Sequence, residues 1–125
     1  MAIQRISSDG EFEKKLGYCR AVVAGGFVHV AGTVGQGETV QAQCSDALET
    51  IKTALKRAGA SIKDVVRVTY MLPDKRDFEP CFEILADTFG ANPPAATMIE
   101  CGLIDPKFLI EIEVTALLPS APNEP

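Results

Sequence analysis

Two carboxylates stand one residue apart near the end of the chain, Glu111 and Glu113 in the run Phe-Leu-Ile-Glu-Ile-Glu-Val-Thr-Ala. Side chains alternate between the faces of a strand, so both acids point away from Ile110, Ile112 and Val114. An acid on a solvent face is ordinary, and Glu113 has that reading as its main alternative. An acid held deeper in such a strand serves as a general acid or base, or as an acceptor for a bound polar ligand. Glu111, which follows Leu109 and Ile110, is the better placed of the two for that chemistry.

Other reactive side chains are few. His29 lies mid-strand in FVHVAG, where an ordinary hydrogen-bonded strand histidine is expected, and no nucleophile-elbow or Cys–His signature accompanies it. Tyr18 stands just before the first hairpin strand. Its hydroxyl could line a cleft, and edge or interface packing is the competing reading. The four cysteines, at 19, 44, 81 and 101, form no C-x-x-C pair, and one histidine cannot complete a zinc set. Four reduced, mostly buried thiols are expected, with no metal.

The elements that must position these residues follow from periodicity and punctuation. A polar lead-in with a short strand around 2–6 precedes CRAVVAGGFVHVAGTVG, which reads as a hairpin about Gly25-Gly26. GTVGQGE lacks the Lys-Ser/Thr of a phosphate-binding loop and reads as a connection. Ala47, Leu48, Ile51, Ala54, Leu55 and Ala58 recur at helical spacing, with Lys56 and Arg57 in the last turn and Gly59 at the stop. A helix of about five turns is expected there. DVVRVTYML is the next strand, ended by Pro73. A second helix is expected over DKRDFEPCFEILADTFG, with Asp77 as its N-cap, Pro80 in its first turn and the phenylalanines in the core. ATMIEC and FLIEIEVTALL complete the strands.

This pattern predicts an α/β fold: a mixed sheet with two helices on one face, in a single domain over residues 1–118 and a disordered tail over 119–125. Two helices cannot cover both faces. The strand DVVRVTYML is not cleanly polar on either face, so an uncovered apolar face is expected to pack against another subunit. The chain has 125 residues, 46% of them hydrophobic and 23% charged, which allows one modest core. A net charge of −5 without a basic run excludes an electrostatic nucleic-acid surface. No apolar run approaches the roughly 20 residues of a membrane span. With no signal-peptide pattern after Met1, a cytoplasmic protein is expected.

Together the segments GFVHVAGTVG, AQCSDALETIKTALKRAGASIKDVVRVTYML, DFEPCFEILADTFG and NPPAATMIECGL…LIEIEVTA resemble the Rid family (reactive intermediate deaminase, also called YjgF or L-PSP), over roughly Gly17 to Leu118. The resemblance implies a chorismate-mutase-like fold, a homotrimer with a barrel-like centre, and ligand clefts between subunits. It implies hydrolysis of 2-imino or enamine acids to 2-keto acids and ammonia, with no metal or organic cofactor. Carried over, the family's final-strand glutamate falls on Glu111, its cleft tyrosine on Tyr18 and its hairpin glycine on Gly32.

The family's carboxylate-gripping arginine, in a P-A-R motif, falls on Ala96, followed by Thr97; here the motif reads P-A-A. A guanidinium offers a planar fork to a carboxylate and a methyl group offers nothing. Losing one partner of a desolvated charge pair costs about 2–5 kcal/mol. The resemblance therefore implies a trimer binding a small polar metabolite through Tyr18, Gly32, Ala96, Thr97 and Glu111, with imine hydrolysis weak or absent. An active deaminase on an unusual substrate is the alternative, with Arg20 or Lys107 as the compensating cation.

Overall fold

A computed structural model describes residues 2–119; positions 120–125 of the expected tail lie outside the described residues. Six strands form one mixed sheet: β1 (Gln4–Ile6), β2 (Ala21–Ala24), β3 (Phe27–Val34), β4 (Val65–Leu72), β5 (Ala95–Glu100) and β6 (Glu111–Leu117). Their order is β1-β2-β3-β6-β4-β5. The last strand thus lies in the middle, antiparallel to β3 on one side and to β4 on the other. Only β4 and β5 run parallel, joined by a helical crossover.

Three helices accompany the sheet: α1 (Glu11–Leu16), α2 (Val40–Ala58) and α3 (Phe82–Phe89). The long helix is capped at its start by Thr39, whose side chain accepts from the Ala42 N–H; its end at Gly59, in the left-handed region, is the one the sequence indicates. Its buried stripe packs on Val28, Val30, Ile112, Val114 and Ala116, which share one face of the sheet. Val68, Tyr70 and Leu72 continue that face.

Three expectations need correction. The polar lead-in contains α1, whose Glu11–Lys15 pair and Gly17 cap mark a helix that apolar periodicity does not reveal. Asp77 caps nothing. It closes a 3-10 turn capped by Asp74, and a second such turn holding Pro80 precedes α3. Proline removes an N–H and pre-sets φ, so the chain enters α3 only at Phe82. Third, the helix-free face is polar at its centre: His29, Arg67, Thr69, Glu113 and Thr115 line a shallow hollow there. Exposed apolar side chains, Phe27, Val66, Ile99 and Leu117, lie around it.

The expected helix phenylalanines divide. Phe89 is buried, whereas Phe82 is 53% exposed. Phe82, Leu85, Phe89, Pro93, Pro94 and Met98 border an apolar groove on the helix-bearing side. Two of the cysteines, Cys44 and Cys81, are buried, and Cys19 and Cys101 are half-buried; none is in a disulfide. A hydrogen bond to Cys81, together with burial, pushes the Cys44 thiol up, away from nucleophilic use.

Candidate active site

A break in the β3–β6 ladder sets up the site. Val30 pairs with Val114 and Thr33 with Ile112, so β3 carries one extra residue between them. The bulge falls at Ala31–Gly32. It buries Thr33, whose hydroxyl donates to the Ala31 carbonyl at 2.8 Å. It also presents the Gly32 backbone at the start of β6, beside Glu111. A Cβ on Gly32 would collide with the Glu111 carboxylate. A side chain at Gly32 would have to push that carboxylate aside, so the glycine matters here through close approach, not through a positive φ.

Glu111 opens β6, paired with Val34 on β3 and Met71 on β4. It lines a cleft of about 220 Å³ together with Tyr18, Arg20 and Gly32, flanked by Phe12, Leu16, Ile104 and Phe108. Arg20 donates from Nη2 to the Gly32 carbonyl at 2.7 Å, and its guanidinium carbon lies 5.8 Å from the centre of the Tyr18 ring. Its Nε is buried without a hydrogen-bond partner. Among the described residues Arg20 and Glu111 form no ion pair, and Glu111 accepts no hydrogen bond. The cleft therefore holds a guanidinium with a donor to spare and a half-buried carboxylate that no protein donor meets.

The electrostatics of Glu111 follow from that setting. Burial pushes its carboxyl above the ordinary range and the neighbouring Glu113 adds to the rise, while Arg20 opposes it. A carboxyl raised in this way holds its proton more firmly and is a stronger base once ionised.

Gln43 holds the approach to this strand. Its buried amide donates to the carbonyls of Gly37 at 3.0 Å and Lys107 at 2.9 Å, and accepts from the Leu109 N–H at 2.8 Å. One side chain of α2 thereby fixes both the glycine-containing loop after β3 and the segment entering β6. Sequence reasoning missed Gln43, although a glutamine one turn before Ala47 on the apolar stripe was the available signal.

The other expected site residues lie elsewhere. Ala96 pairs with Val68 on the edge strand β5, faces the helix-bearing side and borders the apolar groove, two strands from Glu111 and on the opposite face. Thr97 faces the other way and accepts a hydrogen bond from Arg67. Lys107 holds its Nζ 5.1 Å from the centre of the Phe108 ring, and its backbone, rather than its amine, is tied into the site. Of the two compensating cations considered, the cleft contains Arg20. The apolar wall from α1 and from Ile104 was not foreseen, because α1 itself was not.

Fold and cleft together define an α/β protein with a small-molecule-sized, mixed polar and apolar cleft at the start of its central strand. Residues 10–118 match the family described as Endoribonuclease L-PSP. A RutC family protein of Pyrococcus horikoshii is 37% identical over 107 residues, covering 79% of this chain and 85% of the relative. The crystal structure of a YjgF/YER057c/UK114 family member from Mycobacterium tuberculosis superimposes with a TM-score of 0.91 at 42% identity, covering 94% of this chain and 100% of that one. A YjgF family protein of Neisseria meningitidis follows with a TM-score of 0.87 at 26% identity, covering 97% and 98%. The chain belongs to this YjgF, or L-PSP, family, the Rid family of the resemblance.

Proposed function

We propose that the protein hydrolyses an imine or enamine to a carbonyl compound and ammonia, with Arg20 gripping the anionic end of the substrate and Glu111 moving the protons. The supporting observation is the pair itself: a guanidinium with an unpartnered buried N–H and a raised carboxyl without a protein donor, lining one cleft without forming an ion pair. Water adds through its oxygen to the C=N carbon while Glu111 takes one of its protons and passes it to the nitrogen, returning to the carboxylate. An enamine first becomes the imine by gaining a proton on its β-carbon and losing one from nitrogen. A second transfer, from the new hydroxyl to nitrogen by way of Glu111, breaks the C–N bond. Ammonia leaves and the carbonyl forms. The Gly32 backbone and Tyr18 shape the floor on which the substrate sits.

In this reading the chain works as a homotrimer with a barrel-like centre and clefts between subunits. The exposed apolar groove beside β5, with Phe82 and Met98 each more than half exposed, supports burial against another copy. The absence of the P-A-R arginine at Ala96 favours a second reading, a protein that binds a small polar metabolite without turning it over. The family's description, Endoribonuclease L-PSP, names a ribonuclease, but a net charge of −5 gives that activity no support on this chain.

The test generates imines from amino acids with an amino-acid oxidase and follows their loss by semicarbazide trapping. Acceleration by the wild-type protein, reduced at least about a hundredfold in Glu111→Gln, is expected. Ligand binding with no acceleration would establish the second reading instead.

A further inference from the structure

We propose that the protein binds a phosphate group, free or as a monoester, in a second pocket between α2 and the segment joining β1 to α1. The site does not depend on the hydrolase reading. Arg20 and Arg57 both line this pocket, with Ser8 on one side and Glu49, Thr50 and Thr53 of α2 on the other. Its volume of about 230 Å³ is the liquid share of roughly eight waters, room for a phosphate and a short ester chain.

Two guanidiniums converge here in a chain of net charge −5. Each is held by a backbone carbonyl rather than by an acid. Arg57 donates from Nη1 to the Ser7 carbonyl at 2.7 Å, and Arg20 from Nη2 to the Gly32 carbonyl at 2.7 Å. Among the described residues neither forms an ion pair. Like charges at one hollow repel until an anion joins them. The acid in the lining, Glu49, is engaged by Lys52 at 3.3 Å. Glu13, just beyond Ser8, is occupied by the Ser7 and Ser8 donors. The positive charge is therefore offered to the pocket.

The hydroxyls narrow the donor set. Ser8 spends its proton on Glu13 and Thr53 on the Glu49 carbonyl. Thr50 makes no such bond among the described residues, and it stands two turns before Arg57 on the same face of α2. One guanidinium fork satisfies both oxygens of a carboxylate. A tetrahedral phosphate has oxygens for two forks and a hydroxyl as well, so this donor set fits phosphate better. Arg20 also lines the cleft and Arg57 does not, which makes Arg57 the residue that tells the two sites apart.

The test is calorimetric titration of the full chain with inorganic phosphate, glycerol 3-phosphate and acetate at about 0.1 M ionic strength. Saturable binding of at least one phosphate probe is expected, with none of acetate over the same range. Tighter binding of inorganic phosphate assigns the pocket to the free ion, and tighter glycerol 3-phosphate to a monoester. Arg57→Gln keeps a donor for the Ser7 carbonyl but loses the charge, and should weaken binding about tenfold or more. Glu49→Gln removes the opposing charge at a side chain 70% exposed, so it should fold as wild type and bind phosphate about two- to fivefold more tightly. Failure of both phosphate probes to bind, acetate binding as tightly as phosphate, or an affinity that neither variant moves would overturn the proposal. None of these outcomes bears on imine hydrolysis, and failure of the hydrolase reading leaves this site standing.

Discussion

Two acids of this chain, Glu13 and Glu111, are both withdrawn from solvent, yet their surroundings treat them in opposite ways. Glu13 is 5% exposed and well served: Ser7 Oγ donates at 3.2 Å, the Ser8 N–H at 3.1 Å, and the Ser8 hydroxyl donates as well. Burial alone would raise its carboxyl, but these bonds, with the Gly10 N–H, outweigh burial and hold it below the usual range. Glu111 has comparable reason to be raised and no such donors, and it stays raised. One carboxylate is spent on structure, fastening α1. The other is left unfinished, with a cation in view and a hollow in front of it. Unsatisfied groups of this kind mark where a ligand is meant to complete the hydrogen bonding.

The contrast can be broken first by exchange of oxygen for nitrogen. Glu111→Gln should cost activity by at least about a hundredfold and leave thermal stability equal or higher, since a desolvated charge is removed. Gly32→Ala comes next. Its Cβ displaces the Glu111 carboxylate without touching the core, so kcat should fall about ten- to a hundredfold while the unfolding temperature changes little.

Glu13→Ala should do the reverse. It leaves the Ser7 and Ser8 donors unpaired and should lower stability by about 1–3 kcal/mol in chemical denaturation. Gln43→Leu should cost a similar or smaller amount and loosen the strand entry, visible as faster amide exchange at Leu109, whose N–H loses its acceptor.

The smallest effect is in pH, and its sign separates the two acids. The folded-state pKa of Glu13 is depressed, so its stabilisation is present above the unfolded value of about 4.3 and is lost as pH falls through the folded one. The folded-state pKa of Glu111 is raised, so its contribution is fully present below the unfolded value and is lost as pH rises through the folded one. Wild type minus Glu13→Gln should therefore lose stability toward acid, and wild type minus Glu111→Gln toward neutrality. Equal slopes in denaturation series at several pH values would erase the distinction.

Much of the fold was legible locally. Gly59 and the apolar stripe before it gave α2, and Gly25-Gly26 gave the hairpin, because helix stops and tight turns are written in adjacent residues. The signals that single out Glu111 and Tyr18, strand alternation and position beside a hairpin, are local in the same way, and both side chains line one cleft. Other relations required register between distant strands. That Ala96 faces away from Glu111 depends on β6 inserting between β3 and β4, which no neighbouring residue encodes. The polar centre of the helix-free face was hidden similarly. Val66 and Arg67 sit at a ladder irregularity against β6, and simple alternation misassigns the faces there. Arg20 shares the cleft with Glu111 and is held there by the carbonyl of the bulged Gly32, a placement that residue spacing does not encode.

The central claim is that Arg20 and Glu111 act on one bound molecule. A double-mutant cycle of Arg20→Ala, Glu111→Gln and the combined variant, read as kcat/KM for imine hydrolysis, tests it most directly. The account predicts strong non-additivity, with either single change costing nearly as much as both together. Losses that simply multiply, or an Arg20→Ala variant as active as wild type, would contradict it.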